Sequence, residues 1–281
     1  MQTNVLVGYD GSPAAGAAIT AAAVLFPDAH AWIAYIWEPP FAGKRLRRRL
    51  RTLAATADEL AELIEQEGER EAGAIVAAGV ALATAAQWDA EPIVKRAVGS
   101  DGLRLAQLAE KLDSDVLVLG DRGLDGTQEV VGGVCDMAVH FATVPVLMVP
   151  SPLLSGEFDA LEGGPVVVGY DGSAAADAAV SKVERLFPDR KVVLASVRGD
   201  GDDEVTGPDG AEVLSVFESN RFGRPRDRSV ADALIQCCDD TDAAVLAVGS
   251  RGRSPVREVL LGSVAAAVLR RAHRPVLVVH S

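Results

Sequence analysis

The chain has 281 residues, 49% of them apolar and only 5% aromatic, with 27 glycines and three cysteines. At roughly 100–200 residues per domain, this length suggests two domains with aliphatic cores; the composition excludes a disordered chain, a collagen-like one and a disulfide scaffold. A formal net charge of −13 argues against general grip on nucleic acid, which depends on Lys and Arg displacing counterions from phosphates.

Met1-Gln2-Thr3-Asn4 runs directly into Val5-Leu6-Val7, which reads as a short strand; with no basic segment before it, it does not read as a signal peptide. Gly8-Tyr9-Asp10-Gly11-Ser12 follows as a turn, and an Ala-rich helix leads to Leu25-Phe26-Pro27-Asp28. Lys44 to about Ala78, rich in Ala, Leu, Glu and Arg, reads as one long helix. Its basic run, Lys44 to Arg51, and the acidic Asp58 to Glu71 fit a solvated helix with opposite charges at its ends. Val116 to Leu119 is a continuous apolar strand that ends in Gly120-Asp121-Arg122-Gly123, and Val144 to Val149 is another. Such runs, alternating with helices, indicate a parallel sheet covered on both faces. No uncharged apolar run reaches the ~18–20 residues of a membrane span, so neither a membrane nor a nucleic acid is expected as partner, and the expected location is cytoplasmic.

The second half repeats the first. Val166 to Ser173 repeats Val5 to Ser12, Leu186-Phe187-Pro188-Asp189 repeats the helix end, Val245 to Gly252 repeats Val116 to Gly123, and Arg274 to Val279 repeats the closing strand. Four matches in one order mark a tandem duplication. We therefore expect domains at 1–150 and 164–281, joined by a Ser-, Gly- and Pro-rich linker at 151–163. Asp171 lies 161 residues after Asp10, but Gly249 lies only 129 after Gly120; the second copy is shorter by 32 residues between them. An acidic loop from Gly199 to Gly210 stands where the first copy has its long helix, so one crossover helix is missing. The fold class is α/β, with two doubly wound domains.

Ligands of such sheets bind beyond the carboxyl ends of the strands. Asp10 and Asp171 stand there, fit to accept a hydroxyl proton or help hold a cation; their plainer role, with Ser12 and Ser173, is to turn the chain and cap a helix. In the second half, Gly249-x2-Gly252 is followed nine residues later by Gly262-Ser263. Glycines leave backbone N–H groups open to an anion, a helix starting near Ser263 adds its positive end, and Arg251 and Arg253 add charge. The first half has Gly120, Gly123 and Gly133 with Arg122, but Val134 replaces the hydroxyl, and Asp121 and Asp125 bring negative charge. Cys135, Cys237 and Cys238 fit no zinc spacing, and the vicinal pair reads as small helical filler. His140 and His273 stand at equivalent places in the penultimate helices without a second ligand, and Trp32, Trp37 and Trp88 read as packing.

The G-x2-G-x9-G-S pattern, the strand-one Asp and the closing Pro-Val-Leu-Val-Val strand resemble the universal stress protein family in its tandem two-domain form. The resemblance implies a five-stranded parallel sheet of order 3-2-1-4-5 in each half, and binding of ATP or another adenine nucleotide such as AMP or ADP. It also implies dimerisation through last strands, here paired within the chain, with a further homodimer. Carried over residue by residue, it gives Asp171, Gly172, Ser173, Val197, Gly249, Arg251, Gly252, Arg253, Gly262, Ser263 and Val264 as the preferred nucleotide site. Val197 matches a position whose backbone faces adenine, and Asp171 one near ribose and a Mg-nucleotide. Asp10, Gly11, Ser12, Ile36, Gly120, Arg122, Gly123 and Gly133 form a weaker counterpart. Ala265, where many binders offer a second hydroxyl, departs from the pattern. A stress-response sensor or regulator is the implied function; no catalytic residue emerges, so ATP hydrolysis is slow at most, and a nucleotide-free interaction module is the alternative.

Overall fold

The computed structural model describes residues 2–38, 44–97, 99–121, 133–198, 205–208, 211–217, 226–250 and 261–280. The first half runs β1 (Asn4–Gly8), α1 (Pro13–Leu25), β2 (His30–Trp37), α2 (Lys44–Leu50), α3 (Ala57–Ala85), β3 (Asp89–Arg96), α4 (Asp101–Lys111), β4 (Val116–Gly120), α5 (Gly133–Phe141) and β5 (Val146–Val149). Helix α6 (Ser155–Gly163) leads to the second half: β6 (Val166–Gly169), α7 (Ala174–Leu186), β7 (Val192–Arg198), β8 (Val213–Phe217), α8 (Arg226–Asp240), β9 (Val245–Gly249), α9 (Ser263–Arg271) and β10 (Val276–Val279).

The ten strands of the described residues form one sheet in the order β3-β2-β1-β4-β5-β10-β9-β6-β7-β8. Each half is parallel throughout and has the expected order 3-2-1-4-5. The halves join through β5 and β10, antiparallel, with Leu277 opposite Leu147 and Val276 opposite Met148. Those strands are apolar at every position and buried on both faces, which leaves their remaining edge no favourable partner but another buried strand.

Two apolar layers flank the sheet, and each crosses the junction. On one face Val5, Val118 and Leu147 share a cluster with Val166, Ala247 and Leu277, under α1, α3 and α7. On the other, Leu117 and Met148 cluster with Leu246 and Val278, under α4, α5, α8 and α9. The repeated Leu-Phe-Pro-Asp motif serves this joint. Phe26 and Phe187 end α1 and α7 in nearly the same backbone conformation, each bonded back into its helix, and a proline follows. Their rings stack across the pseudo-dyad at 5.1 Å.

Three sequence expectations are corrected. The stretch from Lys44 to Ala78 is two helices: Thr56 Oγ1 accepts the Glu59 N–H, and the Glu59 carboxylate accepts the Ala55 N–H, a reciprocal capping arrangement that starts a new helix despite good helix formers on both sides. The linker holds helix α6, tied at its start by the Leu154 N–H to Glu157 bond of 2.7 Å; Leu161 is fully buried in the apolar layer, so this connection packs. His140 lies inside α5, its Nδ1 2.8 Å from the Asp136 carbonyl, whereas His273 follows α9 and reaches Asp239; the two are not equivalent. Between β7 and β8 the described residues contain no α-helix. Cys135, Cys237 and Cys238 are buried and form no disulfide among the described residues, and burial pushes Cys237 and Cys238 up.

Candidate functional site

Strand β1 ends at Gly8 and β6 at Gly169, and identical turns follow. The Asp10 carboxylate accepts the Ser12 N–H at 2.9 Å, and the Asp171 carboxylate accepts the Ser173 N–H at 3.0 Å. Between them Gly11 and Gly172 take φ of +80° and +74°, a left-handed conformation that glycine adopts without a Cβ penalty. Ser12 and Ser173 then cap α1 and α7 by accepting the Ala15 and Ala176 N–H groups, each at 3.2 Å. Both serines therefore perform the plainer of their two expected roles, and both aspartates are held beyond the strand ends by the same turn.

The second loop reaches the same end of the sheet. The Gly262 N–H donates to the Ser250 carbonyl at 2.7 Å, so the loop that leaves β9 returns directly beside its exit. Gly262 is the N-cap of α9, with no side-chain hydrogen bond at the cap and no acidic residue in the first turn. Among the described residues, the leading N–H groups of that helix have no side-chain partner such as α1 and α7 possess, and an uncapped helix start is favourable ground for an anion. Ser263, the first helical residue, is exposed there. Ala265 is buried at 2% exposure and belongs to the packing of α9. Arg251, Gly252 and Arg253, like Arg122, Gly123 and Asp125, lie outside the described residues.

In the first half, Gly8, Tyr9, Asp10, Ser12, Ile36, Gly120, Gly133 and Val134 line one cleft of about 120 Å³. This is smaller than the ~300–1,000 Å³ usual for ligand pockets. Gly120 serves packing there: a Cβ would lie 2.4 Å from the Ala14 carbonyl oxygen. A Cβ on Gly133 would meet nothing within 4 Å. Ile36 and Val197 occupy matching places at the ends of β2 and β7, opposite Lys95 and Val216 of the neighbouring strands.

Sequence reasoning missed how much acid the first cleft holds. Asp101, at the start of α4, also lines it, and Asp136 stands in the first turn of α5. Burial raises the Asp121 carboxyl above its ordinary value. At the repeat spacing of 129 residues, the second half has Val230, Ala265 and Ser250 in those three places. Superposing the halves was the signal that would have shown it.

The tyrosines report on these surroundings. Burial and then Asp10 raise Tyr9; burial, then Asp101, Asp10 and Glu71, raise Tyr35. Burial and the hydrogen bond that Tyr170 donates to Asp177 push Tyr170 up to about 12. Each folded value exceeds the unfolded phenol value of about 10. The stability these neutral phenols contribute is therefore complete below that pH and is lost as pH rises through the folded values. In a spectrophotometric titration, all three tyrosines should ionise above the free phenol, and Tyr170→Phe should remove a step near pH 12.

A family model described as the universal stress protein family matches residues 1–150 and 224–280. Universal stress protein Rv2005c of Mycobacterium tuberculosis is 29% identical over 188 residues, covering 59% of this chain and 62% of that relative, so the matched region falls short of two thirds of the relative's length. Universal stress protein Rv1636 of the same organism is 32% identical over 141 residues, 41% of this chain and 95% of the relative. Among solved structures, a universal stress protein from Archaeoglobus fulgidus has a TM-score of 0.67 at 21% identity, covering 99% of this chain and 98% of its own; that likeness is one of fold.

Proposed function

The chain belongs to the universal stress protein family, and from that premise we propose that its second half binds an adenine nucleotide, ATP foremost, to act as a stress-response sensor or regulator in the cytoplasm. The observation that carries the proposal is the start of α9, uncapped by any side chain of the described residues and pinned to the end of β9 by the Gly262 to Ser250 hydrogen bond. Phosphates lie against the N–H groups of Ser263 and Val264 and the Ser263 hydroxyl, within the loop from Gly249 through Arg251, Gly252 and Arg253. Asp171, with Gly172 and Ser173, faces the ribose or a nucleotide-bound Mg, and Val197 lies beside the base. When bound, the nucleotide supplies negative charge that the helix start accepts; none of these residues is positioned as a general base, so any hydrolysis is slow.

The first half holds the weaker site, since Asp10, Asp101, Asp121 and Asp136 oppose phosphates that Val134 cannot bond. A homodimer of chains, beyond the pairing of β5 with β10, is part of the same reading.

Mass spectrometry of what the purified chain releases on denaturation should find an adenine nucleotide. In a calorimetric ATP titration, Ser263→Ala removes one charge-assisted hydrogen bond. Affinity should fall roughly ten- to a hundredfold, for about 1.5–3 kcal/mol. No binding by the wild-type chain, or equal binding by the variant, overturns the proposal.

A further inference from the structure

A larger cleft, of about 480 Å³, lies on the far side of Ile36 in the first half. Its floor is apolar, formed by Ile36 and Leu108, 6% and 7% exposed, with Ala97 beside them. Its rim is cationic: Lys95 and Arg96 from the end of β3, Arg104 and Lys111 from α4. On α4, Arg104 and Lys111 are seven residues apart and share a face, about 10 Å from end to end at 1.5 Å per residue. Gln107 sits between them, its Oε1 accepting a hydrogen bond from Arg104 Nη1 at 2.9 Å.

Four cations around one apolar floor are out of character for a chain of net charge −13, because like charges gathered without an anion repel one another. Arg96 is paired with Glu65, but no carboxylate pairs with Lys95 or Lys111 among the described residues. Its cations are not repeated at the matching described positions of the second half. The strand registers place Val216 where Lys95 stands, and the repeat spacing places Ala233 and Asp240 at Arg104 and Lys111.

We propose that this groove is a second, independent anion site, for a small multiply phosphorylated molecule whose apolar or ring body lies on Ile36, Ala97 and Leu108. Its volume falls within the range of small-molecule pockets, and its unpaired ammonium groups stand at the rim, where phosphates stay partly hydrated. The proposal goes beyond the nucleotide reading of the second half and stands or falls separately from it.

The probe is inorganic tripolyphosphate, titrated at low salt into the full chain, into Lys95→Gln/Lys111→Gln and into Ser263→Ala. Both lysines are exposed, and circular dichroism checks that the double variant folds. The groove predicts a binding component weakened about tenfold or more by the double lysine variant, weakened also by salt, and retained in Ser263→Ala. Binding lost only in Ser263→Ala leaves the nucleotide site standing and overturns the groove. So does an equal loss in Arg48→Gln/Arg49→Gln, which removes two exposed charges from α2, or a groove that takes a polyglutamate peptide but no tripolyphosphate.

Discussion

Replacing Leu277 by Ala should lower the unfolding free energy by about 2–5 kcal/mol, the range for a fully buried leucine. Leu277 is fully buried and faces Leu147, itself fully buried, across the antiparallel joint. Removing its side chain opens a cavity between halves, since the same apolar cluster contains Val5 and Val118 from one half and Val166 and Val245 from the other. Urea denaturation should show one transition moved to lower midpoint, because neither half retains an intact core. The double variant Leu147→Ala/Leu277→Ala should fall short of additivity by about 0.5–3 kcal/mol, as contacting residues do. Two separate transitions, only one of them moved, would mean that the halves fold as independent units.

Ser250→Asp should cost the chain its ATP affinity by about two orders of magnitude. Ser250 begins the glycine loop of the second half, and its carbonyl holds Gly262 at the start of α9; Asp121 is the matching residue of the first half. One added negative charge about 5 Å from a phosphate costs about 3 kcal/mol at an effective dielectric constant of 20, roughly a hundredfold in affinity. The fold should survive, because the first half carries a carboxyl at this place and keeps the same backbone bond, from the Asp121 N–H to the Val149 carbonyl at 2.8 Å, as Ser250 does to Val279. Asn at 250 should retain most of the affinity, which separates charge from bulk.

The sheet was legible because its strands are buried on both faces. Val116 to Leu119 and Val245 to Val248 are unbroken apolar runs, and the duplication supplied a second reading of each. The strand order came from the family resemblance, which the structure bears out in both halves. Boundaries governed by a few polar atoms were harder to see. Thr56 and Glu59 divide a helix that propensity alone would continue, and α6 is too short for its apolar spacing to stand out from a linker. The turn at Asp171 and the helix start at Ser263 could be read from residue types, since glycine and serine act there through the backbone itself. The further acid of the first cleft, beyond Asp10, Asp121 and Asp125, could not: Asp10 and Asp101 are 91 residues apart and meet only because β1 and α4 open onto one end of the sheet. The basic groove escaped notice for the same reason, because Lys95 and Lys111 lie on different elements and form no run.

The most direct test of where the nucleotide sits is the stoichiometry of ATP binding, measured by calorimetry on the wild-type chain and on Ser250→Asp. One equivalent per chain in the wild type, lost in the variant, is the predicted result. One equivalent that survives Ser250→Asp would put the nucleotide elsewhere and contradict the assignment to the second half.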